Sequence, residues 1–496
     1  MNRLARLTAL TLALLCLFTI GAGVAVARLL PARLALFQLP QIGGTASKVA
    51  TGTLSSATDP AGGAAGAPTA SGVAAALAPL LDSGDLGTRT GALVVDLTTG
   101  KTLYSVSSDA GFTPASTTKV ATAVAAIDTL GPAARFTTSV TLGPSGTGPA
   151  SAPRGIVLVG GGDPTLSAGQ YPPSFYPRPA SLAALAAIAA KALHAKGISS
   201  VRLTYDNSLF VGPTLAPGWP PVGTGDSYVS TGNVSPITGL EVDQGRLTPS
   251  GRPQDFDDPS NFAPRSMTPG KDAAVAFAGL LRKAGIKVVN RPVQTFPSDP
   301  ADRGPVIAAV RSATLAQQVQ WMLQESNNVI AETLARHVAI ATGKPATFSG
   351  AAHAVMAVDA KLGVRGIHLY DGSGLSPLDE ISPRALVKLV LLASGQTASA
   401  PSGLRSVITG MPVAGFAGTL GPGSTFGPFG PVALGTVRAK TGNLSNVATM
   451  AGIAYARDGT VLAFAFMGND ISPRLGLKAE STLSQLATQL AGCGCR

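Results

Sequence analysis

The apolar positions of this chain fall into blocks of different period. Residues 7–27 form one unbroken apolar run, preceded by Arg3 and Arg6 and followed by Arg28. Positive charge ahead of a hydrophobic stretch marks an export signal. The run exceeds most signal cores and is just long enough to cross a bilayer, which takes about 20 residues. Ala25-Val26-Ala27 offers a cleavage site, so residues 1–37 read as a signal peptide or a membrane anchor. Leu15 stands before Cys16, where a lipoprotein needs a small residue, which argues against lipidation. Residues 38–75 are rich in Ala, Gly, Ser and Thr and almost free of large apolar side chains. Such a segment cannot bury enough surface to fold and reads as a flexible linker.

Beyond it the period changes. Residues 92–96 read as a strand, Thr98-Thr99-Gly100 as a turn and 101–106 as a return strand. Pro114 then stops the chain. Val120, Val124, Ile127 and Leu130 recur at helical spacing until Gly131-Pro132. Short strands, Gly/Pro-rich loops and a few Ala-rich helices follow to about residue 300. Leu315, Val319 and Met322 open another helix. Residues 447–456 and 461–467 are apolar strands joined at Asp458-Gly459, and a helix over 478–490 closes the chain. Strands at both ends with helices beside them predict a mixed sheet covered by helices.

Length and composition narrow the class. The chain has 496 residues, too many for one ordinary domain. Its net charge is +11, yet the charges are scattered and form no basic stripe interleaved with aromatics. Nucleic acid is therefore not an expected partner. The three cysteines, Cys16, Cys493 and Cys495, are no disulfide framework. Cys493 and Cys495 could pair, although a bridge across one residue is strained. Residues 491–496 read as a tail. His194, His337, His353 and His368 form no His-Glu-x-x-His pattern, and no Gly-x-Ser-x-Gly or phosphate-binding loop occurs. No metal or cofactor is expected.

Three short motifs carry chemistry. In Pro114-Ala115-Ser116-Thr117-Thr118-Lys119, Ser116 and Lys119 share one face at a helix start. A serine hydroxyl needs a base, and a lysine with a lowered pKa can serve. In Gln324-Glu325-Ser326-Asn327-Asn328, a hydroxyl at Ser326 and an amide at Asn328 can relay a proton and hold a substrate amide. In Lys440-Thr441-Gly442, which follows a strand-like segment, Lys440 and Gly442 share one face and Thr441 points to the other. Alone, each is also what a capped helix, a polar break or a strand end looks like. In this order they form the set that defines the active-site serine penicillin-recognising enzymes.

The chain resembles the D-alanyl-D-alanine carboxypeptidase/endopeptidase family, the class C low-molecular-mass penicillin-binding proteins of peptidase family S13, over residues 77–490. Gly160-Gly161-Gly162-Asp163-Pro164-Thr165-Leu166, Asp206-Asn207-Ser208-Leu209-Phe210 with Pro217-Gly218-Trp219, and Asp371-Gly372-Ser373-Gly374-Leu375-Ser376 carry the likeness further. The gap from Ser116 to Ser326 is nearly twice that from Ser326 to Lys440, as in a family that inserts extra domains there. The resemblance implies an α+β fold. A serine β-lactamase/transpeptidase-like domain over 76–135 and 305–490, with a five-stranded antiparallel sheet flanked by helices and a helical lobe, would be interrupted by inserted mainly-β domains over 136–304.

It also implies roles. Ser116 would be the acylated nucleophile, Lys119 its base and Ser326 the proton relay to the leaving D-alanine. Asn328 would hold the peptide amide. Lys440 and Thr441 would face the terminal carboxylate, Gly442 would let the substrate backbone approach, and the N–H groups of Ser116 and Asn443 would form the oxyanion hole. Family members usually carry Ser or Thr where Asn443 stands, which puts carboxylate recognition in question. The implied substrates are peptidoglycan stem peptides, with β-lactams as inhibitors. The site would work on the outer side of the membrane, with a membrane tether through the N-terminal segment left open. A serine β-lactamase or β-lactam sensor shares the three motifs, and a non-catalytic wall-binding scaffold with a degenerate site is the remaining alternative.

Overall fold

A computed structural model describes residues 67–143, 153–169, 171, 176–247, 263–295, 304–395, 401 and 403–495. The signal or anchor segment and most of the linker lie outside the described residues. Among those described, no helix is long and apolar enough to cross a membrane.

The architecture is organised by a five-stranded antiparallel sheet, in the order β11-β12-β13-β1-β2. Its strands are β1 (Arg89–Asp96), β2 (Thr102–Val106), β11 (Val437–Leu444), β12 (Val447–Tyr455) and β13 (Val461–Asn469). First and last parts of the chain meet here, with β1 paired to β13 from Arg89↔Asn469 to Asp96↔Leu462. β12 and β13 read as continuous apolar runs because both faces are covered. Alternate residues enter different cores, as the two-residue period of a strand requires. Leu93, Val95, Ala451, Ile453, Ala463 and Ala465 pack into one core. Ala92, Val94, Met450, Leu462, Phe464 and Phe466 pack into the other.

The second core is closed by α1 (Ala70–Leu81) and α10 (Gly476–Ala491). The linker reading extended to residue 75, but α1 begins at Ala70. The Thr69 hydroxyl caps it by accepting from Gly72 N, and Val73, Leu77 and Leu81 are buried against the sheet layer. Three apolar residues at four-residue spacing are enough once a sheet face is there to cover. The tail is also anchored. Cys493 is buried in the same core, is disulfide-bonded to Cys495, and Thr69 N donates to Cys495 O at 2.7 Å.

The first core continues into a helical lobe. It comprises α2 (Thr118–Leu130), α5 (Leu315–Gln324), α6 (Asn328–Ala341), α7 (Phe348–Lys361), α8 (Pro383–Ser394) and α9 (Arg405–Gly410). α2 is buried on all sides from Thr118 to Ile127, and its alanines let α6, α7 and α8 approach closely.

Between β2 and the lobe's later helices the chain builds a second sheet, in the order β6-β5-β4-β3-β8 with β7 also on β5. Its strands are β3 (Thr137–Leu142), β4 (Arg154–Val159), β5 (Ser200–Asp206), β6 (Lys287–Val288), β7 (Val293–Gln294) and β8 (Val306–Arg311). The inserted region was expected to be mainly β; it is instead mixed. β4, β5 and β6 run parallel. Parallel neighbours need crossovers, supplied by α3 (Leu182–His194) and α4 (Pro269–Lys283). β8 lies past residue 304 and still joins this sheet, antiparallel to β3.

One core group carries a measurable consequence. Asp359 of α7 is fully buried, and neither carboxyl oxygen has a hydrogen-bond partner. Burial, reinforced by Asp128, pushes its pKa well above the ordinary aspartate range. The unfolded chain ionises first as pH rises, so this group's contribution is greatest at acid pH and is lost towards neutrality. Asp359→Asn should therefore gain stability relative to wild type by about 1.4 kcal/mol per pH unit from pH 4 up to the raised pKa of the buried acid, and level off beyond it, read by denaturant unfolding. A constant difference across pH would contradict this.

Candidate active site

Ser116 lies in a single 3₁₀ turn, Ala115–Thr117, that runs directly into α2. Ala115 takes φ +48°, a left-handed conformation that a non-glycine residue adopts only when its surroundings impose it. Those surroundings are tight. Pro114 O accepts from Thr449 Oγ1 at 2.7 Å. A side chain on Gly442 would meet Ser116 N and Pro114 O at 2.8 Å. Gly442 is thus needed for β11 to approach the serine turn.

Lys119, one turn into α2, is fully buried. Its Nζ has three oxygen neighbours: Ser116 Oγ at 2.8 Å, Asn328 Oδ1 at 2.7 Å and the Ser373 carbonyl at 2.7 Å. The last two can only accept; the serine hydroxyl can also donate. A neutral amine fits this shell by donating twice and taking the Ser116 proton on its lone pair. Burial lowers the Lys119 pKa to about 7, against the opposing pull of nearby acids, Asp371 first among them.

The second motif forms the turn between α5 and α6. Ser326 has φ +52°, and Asn327 caps α6 by accepting from Ile330 N. The Asn328 amide is oriented at both ends: Oδ1 accepts from Lys119, and Nδ2 donates to the Asn233 carbonyl at 2.9 Å. Asn233 belongs to the inserted region, which therefore helps to build the site.

The third motif lies on β11, an edge strand. Lys440 is fully buried beneath Ser326 and donates to its Oγ at 2.9 Å and to Thr441 O at 2.6 Å. Burial, with repulsion from Lys119, holds its pKa well below the usual lysine value. Thr441 faces the other side and its hydroxyl bonds Thr419 Oγ1 at 2.8 Å. Along the outer edge of β11, Ala439 N donates to Pro412 O. By strand alternation the N–H groups of Thr441 and Asn443 open to the same side, where nothing of the 412–414 segment reaches. The Asn443 side chain donates one amide hydrogen to Glu480 Oε1 at 2.9 Å.

These groups border a cleft of about 520 Å³. Ser116, Ser326, Asn328, Thr441 and Asn443 line it, whereas Lys119, Lys440 and Gly442 lie behind its wall. Gln244, Arg246 and Arg265 of the inserted region complete it. No motif announces these three, because they come from a loop segment with no periodic pattern. Asp371, Glu332 and Asp379, buried behind Lys119, belong to none of the three motifs, although Asp371 opens one of the segments that carry the family likeness. Among the described residues, no cluster of His, Cys, Asp and Glu could hold a metal.

With this geometry established, likeness to known proteins becomes decisive. A model of the D-Ala-D-Ala carboxypeptidase 3 (S13) family matches residues 73–263 and 242–490. The chain belongs to this family. Carboxypeptidase DacB of Mycolicibacterium smegmatis is 36% identical over 431 residues, covering 86% of this chain and 85% of that protein. A carboxypeptidase of Mycobacterium tuberculosis is 35% identical over 442 residues, covering 88% and 87%. In fold, penicillin-binding protein 4 of Haemophilus influenzae superposes with a TM-score of 0.64 at 23% identity, over 84% of this chain and 98% of that one. The S13 chain is thus an α+β, transpeptidase-like serine-type D-Ala-D-Ala carboxypeptidase, a hydrolase.

Gly442→Ala tests the close approach of β11 and the serine turn. The new methyl must push the two apart. Displacements of this size cost on the order of 100-fold in rate. Acylation by a fluorescent penicillin should fall by that factor in a folded variant; wild-type acylation would contradict the geometry.

Proposed function

We propose that Ser116 is the acylated nucleophile of this carboxypeptidase, with Lys119 as its general base. The observation that carries the reading is the shell of Lys119, whose two fixed acceptors leave the lone pair of a neutral amine for the Ser116 proton. Ser116 Oγ attacks the carbonyl between two D-alanines as its proton passes to Lys119. The C–N bond breaks as the leaving amine takes the Ser326 hydroxyl proton, which the Lys119 ammonium replaces, and D-alanine departs; Lys440 holds that hydroxyl in place. Neutral Lys119 then takes a proton from water as the water oxygen attacks the ester, and returns it to Ser116 Oγ as the shortened peptide leaves. The N–H groups of Ser116 and Asn443 serve the oxyanion, since preorganised donors at developing charge supply much of such catalysis.

The substrates are peptidoglycan stem peptides, taken as an added strand along the open edge of β11. Asn328 orients Lys119 and has a second N–H for the peptide amide. Thr441 is the nearer partner of the terminal carboxylate; Lys440 acts from behind the wall, and Asn443 is partly committed to Glu480. Residual endopeptidase activity on crosslinks follows the same chemistry. β-Lactams acylate Ser116 and leave slowly. The enzyme works outside the cytoplasm, delivered by the Arg-flanked apolar segment, which serves as a cleaved signal or a tether.

Labelling with fluorescent penicillin and assay of released D-alanine test this reading together. Both should be present in wild type and absent in Ser116→Ala. Only neutral Lys119 can take the proton, and its pKa is lowered to about 7, so acylation should rise with pH and level off above 7. Below that it should fall about tenfold per pH unit. Stable labelling of Ser116→Ala would overturn the assignment of the nucleophile. A flat profile between pH 5 and 8 would overturn that of the base.

A further inference from the structure

Behind Lys119 lies a cluster of acids that the three motifs do not contain. Asp371, Asp379 and Glu332 are all buried to within about one per cent of full enclosure. Asp371 is the hub. Its Oδ1 accepts from Ser373 N at 3.0 Å and Gly374 N at 2.6 Å, and its Oδ2 from Ser376 N at 2.6 Å and Trp219 Nε1 at 2.8 Å. Four converging N–H donors suit a carboxylate. These bonds shape the loop that turns the Ser373 carbonyl onto Lys119 Nζ. Gly374, at φ +81°, packs so closely on Ala115 that a side chain there would strike its carbonyl. The loop therefore touches both the base and the turn that carries the nucleophile.

Asp379 lies beside Asp371: its Oδ1 accepts from Tyr370 N at 2.7 Å, and its buried Oδ2 has no hydrogen-bond partner. Burial, with Asp371 nearby, pushes its pKa well above the ordinary aspartate range. With four N–H donors on Asp371 and one on Asp379, the neutral acid of the two is Asp379. Glu332 accepts from Gly372 N with both oxygens, and Arg336 is 3.9 Å away. The charged and titratable groups around Lys119 are thus Glu332 and Arg336 from α6, Asp371 and Asp379 from the loop, and Lys440 from β11.

We propose that Asp371 is a positioning residue for the acyl-transfer reaction. Held by four N–H donors beside a neutral Asp379, it fixes the Ser373 carbonyl and sets the basicity of Lys119. Its negative charge favours the ammonium that forms when Lys119 takes the Ser116 proton. This role rests on the assignment of Ser116 and Lys119 as nucleophile and base.

Asparagine substitutions separate charge from structure. Asp379→Asn replaces a neutral acid by a neutral amide, with an amide oxygen left for Tyr370 N. Asp371→Asn removes the charge. The pH dependence of penicillin acylation should be unchanged in Asp379→Asn. In Asp371→Asn its acid limb should move to lower pH by about one unit, since an opposite charge no longer supports the ammonium. Its plateau should also be lower, because a less basic amine takes the proton less readily. An unmoved limb in folded Asp371→Asn overturns the proposal, as does an equal shift in both variants. A failure of Asp379→Asn to fold also counts against it, since the amide preserves every bond of the neutral acid. If Asp371→Asn does not fold, infrared spectra at neutral pH decide: the protonated-carboxyl band should lose intensity in Asp379→Asn, and no loss overturns the proposal. Absence of wild-type acylation would defeat the Ser116 reading instead, leaving the infrared comparison to judge the carboxyl pair.

Discussion

A lysine amine enclosed within the protein is the constraint on which this molecule depends. Burying Lys119 penalises its charge and makes it a base near neutral pH. Burial alone would leave an unsatisfied polar group, so three oxygens from three separate parts of the chain must converge on one nitrogen. Ser116 comes from the start of α2, Asn328 from the start of α6 and Ser373 from a loop after α7. Holding these within hydrogen-bond reach requires the helical lobe to be packed tightly around α2, and its alanine-rich surface permits that.

The sheet answers a second need. In the proposed reaction the substrate backbone lies along a strand edge, and that edge has to run past the serine. β11 supplies it, and Gly442 removes the one side chain that would keep strand and turn apart. Lys440, the other cation, is enclosed as completely as Lys119 and reaches the cleft only through Ser326 and Thr441. In the proposed mechanism each lysine acts through a serine hydroxyl that lines the cleft, Lys119 through Ser116 and Lys440 through Ser326. The inserted region does more than decorate the outer wall. Asn233 orients the Asn328 amide, and Arg246 and Arg265 line the cleft.

Much of this was legible in the chain. The strands β1, β2, β12 and β13, helices α2, α5 and α10, and the three motifs at a helix start, an interhelical turn and a strand could be read from period and punctuation. The start of α1 could not, because its alanines look like linker until a sheet face gives Val73, Leu77 and Leu81 something to cover. The parallel pairing of β4, β5 and β6 was hidden because short strands between glycine-rich loops do not reveal their direction. The burial of Lys440 behind the cleft was equally hidden: strand alternation gave its face, and only packing gave its depth. Asp371 lay in a segment already noted, but the neighbouring Asp379 stands eight residues on with no motif around it.

The most direct test of the account is the charge on Lys119 itself. Proteins labelled at lysine side-chain carbons can be titrated by NMR, with the Lys119 signal identified by its loss in Lys119→Met. The account predicts a resonance that titrates near pH 7, far below the usual lysine value of about 10.4. A Lys119 that keeps its charge until pH 10 would contradict it, since no neutral base would then be present where the enzyme works.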